Sequence, residues 1–149
     1  MKLFADHKMV AYTDQIVQNW EEGVKVASQM LINNGYVNEE YINKIITITN
    51  ELGQYYVIAP KIALLHTAPN EKMRQNAISF TYFKNPIIFK PEDRYHVNFC
   101  LALVAKDNFS HINILQAVAQ LFSQQEFLHE LQTCNSNNEL MKVLQKYDN

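Results

Sequence analysis

The chain has 149 residues, a formal net charge of -2, 48% hydrophobic residues and 19% charged residues. This balance is typical of a folded globular domain and excludes an intrinsically disordered chain. The longest apolar run, residues 99–105, is far shorter than the roughly 20 residues that span a bilayer. The near-neutral charge argues against nucleic-acid binding, and the three widely separated glycines exclude a glycine-rich phosphate loop.

The first residues and the cysteines indicate the compartment. The chain begins with no apolar stretch followed by a small-residue cleavage site, so we expect no secretory leader. Two cysteines, Cys100 and Cys134, suit a reducing compartment better than a disulfide-rich secreted scaffold. These features predict a cytoplasmic protein. Since the sequence has no internal repeat and no linker, we expect one domain over residues 1–149.

Two amphipathic helices joined by a short turn are predicted near the start. Apolar residues recur at three- and four-residue steps from about Asn19 to Asn33, and Gly35 follows as a stop signal. The second helix starts after Asn38, a suitable N-cap, and Gly53 ends it.

Strand-like segments occupy the middle of the chain. They are short runs rich in apolar, β-branched and aromatic residues, at positions 55–59, 62–65, 77–83, 87–89 and 96–105. Pro60 with Lys61, and Asn85 with Pro86, separate neighbouring runs. The last segment ends in a continuous apolar run, which predicts a strand buried on both faces.

Helical periodicity returns at about residues 110–122, 124–132 and 136–147. Ser136 and Glu139 have the spacing of a capping box. Helices on both sides of a central group of strands predict an α/β fold whose sheet is covered on both faces.

Two of the five histidines, His66 and His111, lie where predicted strands end. His66 directly follows the run 62–65, and His111 opens a helix after the buried strand and a short loop. Functional residues of α/β folds concentrate at strand ends and the loops beyond them. If the two strands are neighbours, the two imidazoles face one cleft.

A pair of imidazoles without a carboxylate partner favours phosphoryl transfer. Neutral imidazole is a good nucleophile near pH 7, since its unperturbed pKa is about 6.5, and it can form a phosphohistidine. A second imidazole, and the helix amides near Ser110, can stabilise the phosphoryl oxygens. No magnesium-binding carboxylates are needed when the donor is another phosphoprotein.

The residues alone leave other interpretations open. Each histidine can be a hydrogen-bonded structural residue, and His66, His96 and His111 can be grouped as a zinc site, although no HExxH or CxxC pattern supports it. The segment Lys106, Asp107 and Asn108 is predicted as a turn. The core is expected to contain Cys100 and the aromatic residues Tyr55, Tyr56, Phe80, Tyr82 and Phe83.

Three segments of the chain, taken together, carry a resemblance to a known protein family. The first helix pair has Gly35, Val37 and Tyr41 in a G-x-V-x-x-x-Y junction, residues 55–69 contain the first histidine, and in residues 106–122 the second histidine opens a helix. In this order they resemble the mannitol/fructose-type enzyme IIA domains of the bacterial sugar phosphotransferase system, over about residues 20–144. The run YYVIAP, with Ala-Pro after the histidine, looks most like the ascorbate-type branch.

The resemblance implies a fold and an activity. The fold is a three-layer α/β/α sandwich with a mixed, mostly parallel central sheet of about five strands. His66 takes the place of the phosphoacceptor, which receives a phosphoryl group from phospho-HPr and passes it to a IIB component. His111 takes the place of the imidazole that supports the phosphoryl group. The membrane component IIC is involved only indirectly, and no cofactor, metal or particular oligomeric state is implied.

The function implied is a phosphocarrier for uptake of L-ascorbate or a related sugar. The alternative is a regulatory IIA-like module whose phosphorylation is the output, without onward transfer. Three positions depart from the family pattern: Leu65 replaces a proline, Lys61 a glycine, and Asn50 the arginine of mannitol-type members. We expect Lys61 to point to solvent. We expect a docking face around the histidines that includes Leu64, Leu65, Ala68 and Phe109.

Overall fold

The computed structural model describes residues 1–70 and 72–149, and within them five strands form one sheet between layers of helices. The strands are β1 (Val10–Thr13), β2 (Val57–Ala59), β3 (Ile62–Leu65), β4 (Ala77–Ile88) and β5 (His96–Val104). The helices are α1 (Trp20–Asn33), α2 (Glu39–Leu52), α3 (Asn108–Phe122), α4 (Gln125–Gln132) and α5 (Asn137–Tyr147).

The strands are ordered β1-β4-β5-β3-β2 in the sheet. β3 and β5 are parallel, as are β1 and β4, whereas β4 pairs antiparallel with β5 and β2 with β3. The mixed five-stranded sheet is confirmed, but only two of its four neighbouring pairs are parallel, so the expected predominance of parallel pairing is wrong. The reason is connection length, since strands joined by a few residues can pair only antiparallel.

Two strands differ from the sequence prediction. The runs 77–83 and 87–89 are one strand, β4, because the pairing with β5 shifts register between Tyr82 and Ile87 instead of stopping. Asn85 and Pro86 lie in this irregularity, and such a bulge accommodates a proline that a regular ladder excludes. The edge strand β1 was not predicted, because four residues with a single buried member carry little alternation.

Apolar side chains fill the space on both faces of the sheet. Along β5, Phe99, Leu101 and Leu103 face one core, and Cys100, Ala102 and Val104 face the other. The first core contains buried residues of α3, α4 and α5, and the second contains those of α1 and α2. This arrangement confirms the three-layer α/β/α sandwich and explains the continuous apolar run of β5 from Phe99 onward.

The helix boundaries follow local chemistry. The side chains of Asn38 and Ser136 accept hydrogen bonds from backbone amides at the starts of α2 and α5, as predicted. Gly53 ends α2 with a φ of 83°, a conformation that favours glycine. Within the described part of the chain, no helix is both long enough and apolar enough to cross a bilayer.

Candidate functional site

The carboxyl ends of β3 and β5 bring His66 and His111 together. The two strands are adjacent and parallel, with Leu65 opposite Ala102, so they end at the same edge of the sheet. His66 follows β3 directly, and His111 lies in the first turns of α3. The ring centroids of the two imidazoles are 5.3 Å apart, with 59° between the ring planes. The neighbouring strands and the proximity of the two imidazoles are therefore as expected.

The imidazole of His66 has a defined orientation. Its Nδ1 lies 2.6 Å from the carbonyl oxygen of Leu64. Because a carbonyl oxygen can only accept a hydrogen bond, Nδ1 must carry the proton and donate it. In the neutral ring the lone pair is then on Nε2, which is the nitrogen available to attack an electrophile.

Two tyrosine hydroxyls bind the backbone next to this ring. The hydroxyl of Tyr41, on α2, is 3.1 Å from the carbonyl oxygen of Leu65 and 3.0 Å from that of Leu103, so it lies between the ends of β3 and β5. The hydroxyl of Tyr55 donates a hydrogen bond of 2.5 Å to the carbonyl oxygen of His66. Side chains therefore bind three consecutive carbonyls, those of residues 64, 65 and 66.

The surroundings of His111 favour its neutral form. Partial burial and the proximity of His66 both lower the pKa of His111 from its usual value. Its Nδ1 is buried without a hydrogen-bond partner in the described part of the chain. A neutral imidazole at this position can donate one N–H without adding a full positive charge beside His66.

Asp107 has a more specific role than the turn residue that the sequence suggested. It is the N-cap of α3, and its carboxylate accepts a 2.7 Å hydrogen bond from the amide of Ser110. This hydrogen bond lowers the pKa of Asp107. The Ser110 amide is therefore occupied and cannot itself assist an anionic group. The expected assistance from the other amides at the start of α3 stays a prediction.

The zinc grouping of three histidines is also wrong. His96 begins β5, six residues before the position opposite Leu65, which is about 20 Å along the strand from His66. Its Nε2 lies 3.0 Å from the carbonyl oxygen of Pro91 instead. In the part of the chain that the structure describes, no three His, Cys, Asp or Glu side chains are placed to share a metal ion.

Two of the residues that depart from the expected family pattern, Lys61 and Asn50, are exposed. Lys61 is exposed at the amino end of β3, whereas His66 follows the carboxyl end, so its side chain points to solvent as expected. Its φ of 71° is one that glycine adopts more easily. Asn50 is exposed on the last turn of α2.

The surface around the histidines differs in part from the expected docking face. Leu64 and Leu65 are both 0% exposed, because β3 is an interior strand with helices on both faces, so they cannot contact a partner. Ala68 is exposed and Phe109 is 75% exposed, as expected. Ile112, which follows His111 and is 53% exposed, was not anticipated.

Tyr55 was expected to be a core residue together with four other aromatic residues. The other four are buried, but Tyr55 is 36% exposed and its ring centroid is 5.3 Å from that of His66. Adjacent residues near a strand point in different directions, but both faces of this sheet are covered, so the sequence does not indicate which of Tyr55 and Tyr56 is exposed.

Comparison with known proteins identifies the family. The sequence model of the family "Phosphoenolpyruvate-dependent sugar phosphotransferase system, EIIA 2" matches residues 4–147. The chain belongs to this family. Members are phosphotransferases that carry a phosphoryl group, so this enzyme IIA is a sugar phosphotransferase system component.

Two curated relatives from Escherichia coli strain K12 are each 28% identical to this enzyme IIA. The mannitol-specific cryptic phosphotransferase enzyme IIA component aligns over 129 residues, 87% of each chain. The ascorbate-specific PTS system EIIA component aligns over 131 residues, 87% of this chain and 84% of the relative.

Solved structures share the fold of this enzyme IIA. The solution structure of the mannitol-specific cryptic enzyme IIA from Escherichia coli has a TM-score of 0.81 at 26% identity, covering 96% of this chain and 95% of that one. The mannitol enzyme IIA in a complex with phosphorylated mannitol enzyme IIB, also from Escherichia coli, has a TM-score of 0.77 at 18% identity, covering 97% of this chain and 98% of that one.

Proposed function

We propose that this enzyme IIA is a phosphocarrier that accepts a phosphoryl group from phospho-HPr on His66 and passes it to a IIB component. The observation that carries the proposal is the hydrogen bond between Nδ1 of His66 and the carbonyl oxygen of Leu64, 2.6 Å long. It leaves Nε2 as the nucleophilic nitrogen, next to a second imidazole. Both partners are cytoplasmic components, so we propose that the chain works in the cytoplasm.

The transfer step needs no added acid or base. The Nε2 lone pair of His66 attacks phosphorus, and the N–P bond to His66 forms as the N–P bond of the donor phosphohistidine breaks. The electron pair of the broken bond returns to the donor imidazole. The proton on Nδ1 of His66 stays in place, and the Leu64 carbonyl stabilises the positive charge that develops on the ring.

His111 stabilises the transferred group in this proposal. Its lowered pKa favours the neutral ring, which still has one N–H to donate to a phosphoryl oxygen. Phosphorylation of His66 places negative charge beside the ring in place of a neutral imidazole. We therefore expect the pKa of His111 to rise after phosphorylation.

The acceptor is proposed to dock on the exposed apolar residues around the histidines. Phe109 and Ile112 on α3, with Ala68 after β3, form this docking face. The fold of this chain is that of the mannitol enzyme IIA in the solved complex with phosphorylated enzyme IIB, which supports a IIB partner. A small apolar face suits a transient contact that must release its partner after each transfer.

The sugar is proposed to be L-ascorbate or a related sugar acid or pentitol. The YYVIAP run and the Ala68–Pro69 pair after His66 support the ascorbate-type branch, and the ascorbate-specific relative supports it further. Since the acceptor IIB determines the pathway, the test is a comparison of phosphoryl transfer rates to ascorbate-type and mannitol-type IIB proteins. Faster transfer to the mannitol-type protein would overturn this assignment.

Loading and discharge can be measured separately. With phosphoenolpyruvate, enzyme I and HPr, we expect acid-labile label on wild type, none on His66→Ala, and slower loading of His111→Ala. His96→Ala is the matched control, because His96 lies at the opposite end of β5. Label on His66→Ala equal to wild type would contradict the proposal. Loading without discharge to any IIB would instead identify the regulatory module.

A further inference from the structure

The ring of Tyr55 lies next to His66, as the ring of His111 does. Its hydroxyl donates a 2.5 Å hydrogen bond to the carbonyl oxygen of His66. Its ring is edge-on to the imidazole, with centroids 5.3 Å apart and 80° between the planes. His66 therefore has Tyr55 and His111 as ring neighbours at equal centroid distances.

Tyr55 is fixed in place by the core beneath it. Its ring packs edge-on against Tyr56 at a centroid distance of 5.0 Å. Tyr56 is 0% exposed, and its hydroxyl is 3.0 Å from Oγ1 of Thr49 on α2. The amide of Leu64 also donates to the carbonyl oxygen of Tyr56, at 2.8 Å. The segment 55–56 thus connects α2 to the strand that precedes His66.

The backbone at His66 needs such a contact. His66 lies immediately beyond β3, so its carbonyl is not part of the strand pairing. Leu65 leaves the φ angle before the histidine free, whereas a proline would fix it. A change in the φ angle of His66 moves its carbonyl and its Cα–Cβ bond together and so displaces Nδ1 from Leu64. Partial burial raises the pKa of Tyr55, so its hydroxyl stays protonated as a donor.

We propose that Tyr55 is a positioning residue for phosphoryl acceptance, which holds the His66 imidazole in the tautomer and orientation that leave Nε2 free. The hydroxyl fixes the His66 carbonyl, and the ring edge restricts rotation of the imidazole. The inference rests on the proposed function of His66. A merely structural role is a poorer explanation, because Tyr55 is 36% exposed and its hydroxyl reaches the histidine segment and not the core.

Two variants separate the hydroxyl from the ring. Tyr55→Phe removes only the hydrogen bond, and Tyr55→Leu removes the edge-on contact as well. Tyr95→Phe is the matched control, since Tyr95 immediately precedes β5 at the opposite edge of the sheet. The readouts are the imidazole ¹⁵N shifts of His66, which report which nitrogen carries the proton, and the rate and donor concentration dependence of single-turnover phosphoryl transfer from phospho-HPr.

For Tyr55→Phe we expect partial loss of the Nδ1–H tautomer and a transfer rate constant lowered about threefold to tenfold, the effect of one hydrogen bond. The donor concentration at half-maximal rate should stay within about twofold of wild type. Tyr55→Leu should lower the rate constant further, and Tyr95→Phe should change neither readout.

Unchanged tautomer and unchanged rate in Tyr55→Phe would overturn the inference, even if the variant unfolds more easily. A changed concentration dependence with an unchanged rate constant would also overturn it, because Tyr55 would then be a docking residue. The ¹⁵N measurement uses the unphosphorylated protein. If wild type accepts no phosphoryl group, the proposed function of His66 fails, and the tautomer still reports whether Tyr55 orients the ring.

Discussion

At the scale of single residues, the histidine site is built from backbone carbonyls and the side chains that bind them. The ring of His66 binds the carbonyl of Leu64, while Tyr41 and Tyr55 bind the next two carbonyls. Leu65 lies where the resemblance to the family leads us to expect a proline. The two hydroxyls therefore restrict a segment that proline would otherwise stiffen.

Among the residues that the structure describes, Lys61 is the only one other than glycine with a positive φ, which is 71°. A left-handed conformation costs a residue with a Cβ about 1 kcal/mol or more, and the greater freedom of glycine in the unfolded chain offsets part of the gain. We expect Lys61→Gly to raise the free energy of unfolding by about 0.5 kcal/mol. Urea denaturation measures it, and Lys84→Gly in β4 is a control that should destabilise. A loss of stability in Lys61→Gly would show that the left-handed conformation costs less than the added freedom of glycine in the unfolded chain.

His111 makes stability depend on pH. The pKa of His111 is lowered in the folded protein, so the unfolded chain binds the proton more tightly. Stability is therefore highest above the unfolded pKa of about 6.5 and falls as the pH drops below it. We expect His111→Gln to lose less stability than wild type between pH 7.5 and pH 5.5, measured by urea denaturation at both values. An equal or larger loss in the variant would contradict the assignment of this pH dependence to His111.

At the scale of elements, Tyr41 connects α2 to the ends of β3 and β5. Its side chain is buried, and its hydroxyl lies between the carbonyl oxygens of Leu65 and Leu103. These two strand ends carry the loops that present the two histidines. The position of α2 and the spacing of the histidines are therefore coupled through one side chain.

Removal of the Tyr41 hydroxyl tests this coupling. Tyr41→Phe keeps the ring but leaves buried carbonyls without their donor, which costs about 1–3 kcal/mol of unfolding free energy. Urea denaturation measures the loss, with Tyr95→Phe as the control that should change little. A free energy of unfolding equal to that of wild type would show that the hydroxyl contacts contribute nothing.

Several elements could be predicted from the sequence because their determinants are local. Asn38, Gly53 and Ser136 determine helix ends through caps and a positive φ within a few residues. The edge strand β1 and the bulge in β4 depend on pairing with distant strands, which leaves little local pattern. The same holds for the proportion of parallel pairs, because it is a property of the topology and not of any segment.

At the scale of the whole molecule, the site depends on which strands are neighbours. His66 and His111 are separated by 45 residues but meet because β3 and β5 are adjacent and parallel. The sequence predicted this pair on the condition that the two strands are neighbours. The roles proposed for the two histidines came from the resemblance to the family. The position of Tyr55 and the burial of Leu64 and Leu65 were not predictable, because they depend on how β2, β3 and α2 pack in three dimensions.

A charged substitution on the docking face tests where on the molecule the partner proteins bind. Ile112→Lys places a charge on the apolar face beside His111. Because this charge would lose its water when a partner docks, we expect phosphoryl transfer to slow by about tenfold, both from phospho-HPr and to IIB. Ile88→Lys is the matched control, because Ile88 is 56% exposed, against 53% for Ile112, and lies opposite His96 at the other end of β5.

The unfolding free energies of both docking-face variants should stay near that of wild type, since surface substitutions usually change stability by less than about 0.5 kcal/mol. Equal transfer rates for Ile112→Lys and Ile88→Lys would place the docking face elsewhere.

The central claim is that His66 accepts the phosphoryl group on Nε2 because Nδ1 is bound to Leu64. The most direct test is the long-range ¹H–¹⁵N spectrum of the imidazoles before and after phosphorylation by phosphoenolpyruvate, enzyme I and HPr. We predict that the Nε2 resonance of His66 alone acquires phosphorus coupling, and that Nδ1 keeps its proton. Phosphorus on Nδ1, on another histidine, or on no histidine of the folded protein would contradict the account.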